Sequence, residues 1–162
     1  MPTNHRIPSL GYCIYSKRNK LKEEYCNLTP KYLKDLRSKR TTISNEVYVP
    51  EIAFTGDSLL SGIIDKSEFL TAKVLIMECT FLSDISIDDA HSGFHVHISE
   101  VAQNHTLFLN NAIILTHFSD KYSLETIIEE VSKALEPTSL CNKTYILINK
   151  LLRITDHQNI IK

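Results

Sequence analysis

The chain has 162 residues, of which 43% are hydrophobic and 23% charged, and its formal net charge is −1. This length supports one domain with a buried core, and the near-neutral composition excludes a strong overall electrostatic bias. A run of roughly 18 apolar residues, which a membrane-spanning helix requires, does not occur, so we predict no membrane partner.

The four cysteines, Cys13, Cys26, Cys79 and Cys141, are far apart in the sequence. Because no Cys-x-x-Cys pair occurs, a cysteine zinc knuckle is not expected. The N-terminus lacks the long apolar stretch of a signal peptide, so we do not expect a disulfide framework. We predict reduced thiols and a location in the nucleus or cytoplasm, with an organelle left open.

The first third of the chain combines two predicted strands with a charged segment. Alternation predicts a strand at 10–16, and a second strand at 51–55 stops at Gly56-Asp57. Between them, residues 17–40 are charged and show helical spacing at Tyr32, Leu33 and Leu36, and residues 41–45 read as a polar connection. Residues 17–40 contain nine basic and three acidic side chains, a net charge of +6, against −7 for the remainder.

The rest of the chain alternates strands with amphipathic helices. In order, we predict a strand at 74–78, a polar loop at 83–93, a helix at 99–109, a strand at 112–116, a helix at 123–136 and a strand at 145–148. The helix at 123–136 has the clearest pattern, since Ser123 can cap it and Pro137 ends it. Residues 149–162 form a tail without a clear assignment. The alternation indicates an α/β layered fold.

Polar side chains follow two of the predicted strands, at the positions where α/β folds usually place functional sites. Asp57 comes after a strand and a glycine, and His117 directly follows the apolar run 113–116. Carboxylates and imidazoles are zinc ligands, so both are candidate metal ligands. Alternatively, Asp57 is an ordinary turn aspartate and His117 a hydrogen-bonded structural residue.

Three further residues are candidates for the same site. His95 and His97 lie two apart, so on an extended segment their side chains share a face. One could bind a metal while the other serves as a general acid, or both could be surface residues before a helix. Glu78 ends a buried strand, where it could hold a histidine or lie in solvent as an edge carboxylate. We treat His91 and His105 as ordinary surface or helix histidines.

The basic segment has two interpretations. It could be an arm that binds phosphates, or it could be a solvated amphipathic helix. Only two aromatic residues, Tyr25 and Tyr32, lie among its charges, which favours contact with a nucleic-acid backbone over base stacking. The candidate RNA-binding residues are Lys17, Arg18, Lys20, Lys22, Lys31 and Lys34.

Four short motifs follow one another along the chain: FTGDS at 54–58, MECTFL at 77–82, HVHISE at 95–100 and LTHFSDKY at 115–122. Their order resembles that of ribonuclease Z, the tRNA 3′-processing endonuclease of the metallo-β-lactamase superfamily. From His5 to about Leu135 the chain resembles the C-terminal half of this family, most closely its short form. The resemblance implies an α/β fold that is the C-terminal half of a metallo-β-lactamase αββα sandwich. This partial domain would span 1–148, with an arm-like insertion at about 17–40 and a tail at 149–162.

The resemblance also implies roles for individual residues. His5, Asp57 and His117 would bind zinc, with Asp57 bridging two ions. His95 would donate a proton to the leaving 3′ oxygen, and Glu78 would orient His95. The implied substrate is precursor tRNA, from which the enzyme removes the 3′ trailer, and the basic segment would be the arm that grips it.

The sequence departs from the family pattern in several places. The His-x-His-x-Asp-His motif does not occur in these 162 residues, and we expect it upstream. Phe94 takes the place of a glycine, and Asp120-Lys121 that of a small residue and an arginine. With three of the family's ligands, we expect weak zinc binding and no activity of the chain alone. It would then require a missing N-terminal half or a second copy, or it would be a noncatalytic, tRNA-binding remnant.

Overall fold

In a computed structural model, residues 1–148 and the backbone of 151–153 are described. The chain divides into two compact units. The first consists of Met1–Ile14 and the chain from Pro50 onward, and the second of Tyr15–Val49. The arm-like insertion predicted at about 17–40 falls within the second unit. The predicted tail at 149–162 lies, apart from the backbone of 151–153, outside the described residues.

The first unit contains a mixed sheet whose strand order follows the chain order. Across the sheet, the C-terminal part of β2 (Ser44–Phe54) is followed by β3 (Val74–Glu78), β4 (Ala112–Thr116), β5 (Thr144–Leu147) and β6 (Leu151–Arg153). The pairings from β2 to β5 are parallel, and β6 is antiparallel to β5. The strands predicted at 74–78 and 112–116 are confirmed with the same bounds. The polar connection predicted at 41–45 is wrong at its end, because β2 already begins at Ser44.

Five helices connect the strands of the first unit. These are α2 (Leu60–Ile64), α3 (Ser67–Thr71), α4 (Ile87–Ser92), α5 (Ile98–Gln103) and α6 (Leu124–Leu135). The Ser123 hydroxyl accepts the Thr126 N–H at 3.2 Å, so the predicted cap of α6 is confirmed. The polar loop predicted at 83–93 is wrong over α4, where Ser86 caps a helix that buries only Ala90. Such a short helix has too few apolar residues for a periodic signal.

The helix predicted at 99–109 is wrong in its second half. Helix α5 ends at Gln103, and residues 105–107 form a 3-10 turn instead. The side chain and the backbone N–H of Asn104 both donate to the Glu100 carbonyl, at 2.9 Å and 3.0 Å, so Asn104 forms a local bond at the end of the helix. None of the helices in the described part of the chain has the length and apolar character to cross a membrane.

One face of the sheet carries the core. Parallel neighbours in chain order, joined by right-handed crossovers, place their connecting helices on the same side. The side chains that alternate toward this side are buried, as Leu75 and Met77 in β3 and Ile113 and Leu115 in β4 show. They belong to one apolar cluster with residues of α2, α3, α5 and α6.

The opposite face of the sheet is also apolar but remains partly exposed. The strand register places Phe54, Ile76, Ile114 and Tyr145 side by side across four strands. Phe54 is 42% exposed, and Ile76, Ile114 and Tyr145 are half-buried. We call this row the apolar sheet face. An exposed apolar surface of this kind usually marks a contact with another protein surface.

The second unit consists of a strand pair and one helix. The part of β1 (Tyr12–Leu21) from Tyr15 neighbours the part of β2 up to Val49, and α1 spans Pro30–Ser38. The helical spacing at Tyr32, Leu33 and Leu36 is therefore confirmed. Thr29 caps α1 and Pro30 opens it, and none of its residues is fully buried. Its basic side chains Lys31 and Lys34 are exposed and lie on neighbouring turns.

Candidate active site

The candidate residues of the first unit converge at the carboxyl edge of the parallel strands. Asp57 follows β2, Glu78 ends β3 and His117 directly follows β4. Because parallel strands end at the same edge of a sheet, these three side chains come from different loops but meet there. His95 joins them from the loop after α4, and His5 from the N-terminal segment.

Glu78 is the most deeply buried of these residues, with 2% exposure, and four donors surround its carboxylate. Oε1 accepts the Ser58 N–H at 2.8 Å and lies 3.0 Å from Nδ1 of His95. Oε2 accepts the Thr80 hydroxyl at 2.7 Å and the Val96 N–H at 3.1 Å. A buried carboxylate is costly unless its lone pairs are paired. Here each oxygen has two partners, and the network matches the ionised form.

His95 receives its orientation from Glu78. Since the carboxylate accepts, Nδ1 of His95 carries a hydrogen, which leaves Nε2 as the nitrogen that can give or take a proton elsewhere. Its ring centroid lies 5.4 Å from that of His5 and 5.4 Å from that of His117. Its side chain is 19% exposed. The prediction that Glu78 could hold a histidine is therefore confirmed in its geometry, and the edge carboxylate in solvent is wrong.

The backbone places His95 at the end of a helix. Its N–H donates to the Ala90 carbonyl at 3.1 Å, and the N–H of Phe94 donates to the His91 carbonyl at 2.9 Å. These two bonds form a Schellman motif, in which the residue after the cap adopts the left-handed conformation. That residue is Phe94, with φ of +63°. Glycine is the usual residue there, so the phenylalanine stores backbone strain next to His95.

Asp57 and His117 face each other beside His95. Nε2 of His117 lies 3.7 Å from Oδ2 of Asp57, and the two side chains are 48% and 42% exposed. His117 itself has a left-handed backbone with φ of +62°, and so does Gly56, the residue before Asp57, with φ of +62°. A Cβ at Gly56 would lie 2.8 Å from the Leu10 carbonyl oxygen, so this turn requires glycine.

The N-terminal segment is tied to the Asp57 loop. The Thr3 hydroxyl donates to the Asp57 carbonyl at 3.2 Å, and the Asn4 N–H donates to the Ser58 hydroxyl at 3.1 Å. These bonds fix the backbone up to Asn4, the residue before His5, which explains why His5 lies against His95. Phe94 also contacts His5, with ring centroids 6.2 Å apart and an angle of 68° between the ring planes.

His97 lies outside the site. It is 3% exposed and caps α5, where its Nδ1 accepts the Ser99 N–H at 3.1 Å and its Nε2 donates to the Ile85 carbonyl at 3.2 Å. Glu100 accepts the N–H of His97 at 3.1 Å and completes the capping box. The alternative in which both histidines are surface residues is therefore wrong. With both ring nitrogens engaged, His97 has a structural role.

A group able to hold a metal ion lies at the centre of this arrangement. One ligand atom each of Glu78, His95 and His117 can be chosen so that all lie within 4.8 Å of one another. Glu78, however, has four hydrogen-bond partners and would have to give some of them up to bind an ion. Asp57 and His117 fit better, because a nitrogen and an oxygen on one zinc ion, each about 2.0–2.2 Å from it, lie nearly as far apart as this pair.

Two residues of the site, Thr80 and Ser58, were not among the sequence candidates, and both bond directly to Glu78. Outside the site, Lys121 lies over the ring of Phe81, which packs against His95 with ring centroids 6.0 Å apart. Lys121 donates to Asp84 at 2.7 Å, and this bond raises the pKa of Lys121. The spacing of Thr80, two residues after Glu78, was the signal that could have found it, since such residues share a face of extended chain.

Cys79 lies next to Glu78 but is unsuited to bind a metal. It is fully buried, and burial raises the pKa of its thiol well above the usual range. Since the thiolate is the form that binds metals, we assign Cys79 a packing role, in which its side chain fills a small apolar space.

Comparison with known proteins connects this site to a family. No protein-family profile matches the chain. The chain is 42% identical over 138 residues to tRNase Z TRZ1 of Arabidopsis thaliana, which covers 83% of the chain and 49% of that protein. It is 40% identical over 134 residues to the chloroplastic tRNase Z TRZ2 of the same plant, covering 81% and 38%. The resemblance to ribonuclease Z is confirmed.

The similarity covers only part of each of these two tRNase Z proteins. The chain spans about half the length of TRZ1 and about two-fifths of TRZ2. Over four-fifths of its own length, this chain is therefore similar to part of tRNase Z. The activity of a whole tRNase Z, its substrate and its partners are a matter of proposal for this chain.

The strain at Phe94 can be measured with two substitutions. Phe94→Gly and Phe94→Ala both remove the ring, but only glycine adopts φ of +63° without cost. We expect the glycine variant to be more stable than the alanine variant by about 1 kcal/mol. Urea unfolding of both variants measures this difference. An alanine variant as stable as the glycine variant would show that Phe94 is not strained.

The four donors around Glu78 lead to a second prediction. In Glu78→Gln, an amide NH2 group replaces one carboxylate oxygen and cannot accept the hydrogen bonds that this oxygen received. Each buried donor left unpaired costs about 1–3 kcal/mol of unfolding free energy. We expect a loss of about 2–4 kcal/mol of unfolding free energy, measured by urea denaturation with a chelator present. Asp57→Asn is the matched control, because this half-exposed site should change stability by less than about 0.5 kcal/mol. Equal losses in the two variants would contradict the network.

Proposed function

We propose that this chain is the catalytic region of a zinc-dependent endoribonuclease that removes 3′ trailers from precursor tRNA. The similarity to two tRNase Z proteins over four-fifths of the chain supports the substrate and the reaction. The single observation that carries the proposal is the position of His95. It is held by a buried carboxylate and lies beside the Asp57–His117 pair.

His5, Asp57 and His117 are the proposed zinc ligands. Asp57 and His117 have the spacing of two ligands on one ion, and His5 reaches the same group of rings beside His95. Zinc at such a site lowers the pKa of a bound water and offsets the negative charge of the phosphate. Three ligands of this chain are too few for two ions, so the proposal includes further ligands from another part of the protein or from a partner.

His95 is the proposed proton donor to the leaving 3′ oxygen. Glu78 holds the hydrogen of Nδ1, so the proton passes to substrate from Nε2. The Schellman motif fixes the backbone of His95, and the rings of His5 and His117 both contact its ring, each with centroids 5.4 Å apart. Such a fixed ring has little freedom to lose when the substrate binds, which favours proton transfer.

For the fold, we propose one half of a metallo-β-lactamase sandwich. The apolar sheet face is the supporting feature, because two sheets of a sandwich pack with their apolar faces about 10 Å apart. Phe54, Ile76 and Ile114 would then become core residues. The rest of a tRNase Z-like domain is the proposed cover, and a second copy of the chain is the alternative.

The second unit is the proposed tRNA-binding arm. Residues 15–49 carry nine basic and four acidic side chains, a net charge of +5. Lys17 pairs with Glu46 at 2.6 Å and Lys39 with Asp35 at 2.7 Å. Lys31 and Lys34 are exposed on α1, and neither has a carboxylate partner among residues 1–148. Their charges are thus available to phosphates.

The role of His95 can be tested by substitution in the full protein. We expect His95→Ala to lower kcat/KM for a 3′-extended precursor tRNA by about 10²–10⁴-fold, because it removes the proton donor. The dissociation constant for the same RNA should change little. His105→Ala, which removes a half-exposed histidine bonded to Ser139, is the control and should cleave normally. Normal cleavage by His95→Ala would contradict the assignment.

The arm can be tested with matched pairs of lysines. Replacing Lys31 and Lys34 with alanine should weaken precursor tRNA binding and lower the slope of log K against log salt by up to about 0.9 per lost phosphate contact. Replacing Lys66 and Lys133 in the first unit removes the same charge and is the control. Fluorescence anisotropy at several salt concentrations measures both. Equal effects of the two pairs would indicate that only net charge matters.

A further inference from the structure

The hydroxyl of Thr80 lies between two groups of the site. Its Oγ1 is 2.7 Å from Oε2 of Glu78 and 2.9 Å from Nδ1 of His117. Thr80 is 6% exposed, so solvent has little access to this contact. Glu78 therefore reaches two of the imidazoles of the site, His95 directly and His117 through Thr80.

The direction of these hydrogen bonds follows from counting protons. A hydroxyl has one hydrogen, and the ionised carboxylate of Glu78 can only accept. The Thr80 hydrogen therefore points to Glu78, and the Thr80 oxygen must accept from His117. This requires a hydrogen on Nδ1 of His117, so in the neutral ring Nε2 carries the lone pair.

The lone pair on Nε2 faces a carboxylate. Nε2 of His117 is 3.7 Å from Oδ2 of Asp57, which is too far for a normal hydrogen bond. Two acceptors facing each other across this gap repel, and a cation between them removes the repulsion. The tautomer that Thr80 imposes is thus the one in which His117 can bind a metal through Nε2.

Backbone hydrogen bonds join the loop that carries Thr80 to the loop that carries His117. The N–H of Cys79 donates to the Thr116 carbonyl at 2.9 Å, and the N–H of Ser119 donates to the Thr80 carbonyl at 3.0 Å. Threonine is also stiff at χ1, so its hydroxyl has few alternative directions. The hydrogen bond from His117 is therefore built into the fold before any ion or substrate binds.

We propose that Thr80 is a positioning residue that holds His117 in the Nδ1–H tautomer and so prepares Nε2 for a metal ion. This inference rests on the proposed function for the identity of the metal as zinc. It also makes Glu78 a shared anchor, because the same carboxylate sets the free nitrogen of His95 and, through one hydroxyl, that of His117.

The first measurement needs no substitution. In the full protein without metal, the ¹⁵N chemical shifts of the His117 ring nitrogens report which one carries hydrogen. We expect the neutral ring to be protonated on Nδ1. A neutral His117 protonated on Nε2 would overturn the inference, whatever the activity of the protein.

The variants Thr80→Val and Thr80→Ser separate the hydroxyl from the packing. Valine has nearly the shape of threonine but lacks the hydroxyl, whereas serine keeps it. We expect Thr80→Val to lose the Nδ1–H preference and to bind Zn²⁺ about 10–100-fold more weakly, as second-shell substitutions typically do. Thr80→Ser should keep the tautomer and most of the affinity. Competition with a chromophoric chelator measures zinc binding without any activity assay.

The outcomes also distinguish this inference from the proposed function. If Thr80→Val matches the unsubstituted protein in tautomer and zinc affinity, the inference fails even if precursor tRNA is cleaved. If the tautomer and affinity change as expected but the unsubstituted protein does not cleave precursor tRNA, the inference stands and the proposed function fails. Should Thr80→Val not fold, the measurement on the unsubstituted protein still decides the tautomer.

Discussion

The buried carboxylate of Glu78 is the interaction on which the site depends. With 2% exposure, it can carry a charge in the interior only because donors from separate segments converge on it. Ser58 belongs to the Asp57 loop, Thr80 to the loop after β3, and Val96 to the segment that carries His95. The need of one carboxylate for partners therefore holds together the loops that carry the candidate catalytic and metal-binding residues.

Backbone strain is concentrated around the same carboxylate. Three of the four described residues with positive φ, Gly56, Phe94 and His117, precede or form part of the site. At Gly56 the conformation costs little, but at Phe94 and His117 a side chain must accept it. Such strain persists only where surrounding contacts determine the backbone. At Phe94 these contacts are the two hydrogen bonds of the Schellman motif. At His117 they are the backbone hydrogen bonds that join the Cys79–Thr80 segment to the Thr116–Ser119 segment.

The sequence predicted the elements whose burial is regular and missed those that depend on tertiary contacts. Strands β3 and β4 were predicted with their observed bounds, and the cap of α6 was predicted at Ser123. Helices α2, α3 and α4 were missed because each has only five or six residues, too few for a helical period to stand out.

The site shows the same division. The positions of Asp57, Glu78 and His117 at strand ends followed from the pattern, because strand ends are visible in a sequence. The difference between His95 and His97 did not, since it depends on which ring meets Glu78 and which caps α5. Thr80 was missed for a related reason: a threonine acquires this role only when a histidine 37 positions away donates to it.

The most direct test is a crystal structure of the full protein with zinc, using anomalous diffraction at the zinc edge to locate the metal. The account predicts zinc bound by Asp57 and by Nε2 of His117. The Glu78 oxygens should lie too far from the zinc ion to bind it and should keep their hydrogen bonds to Ser58, Thr80, His95 and Val96. Zinc bound directly by Glu78, or zinc density only elsewhere, would contradict the claim that this carboxylate organises the site without being a ligand.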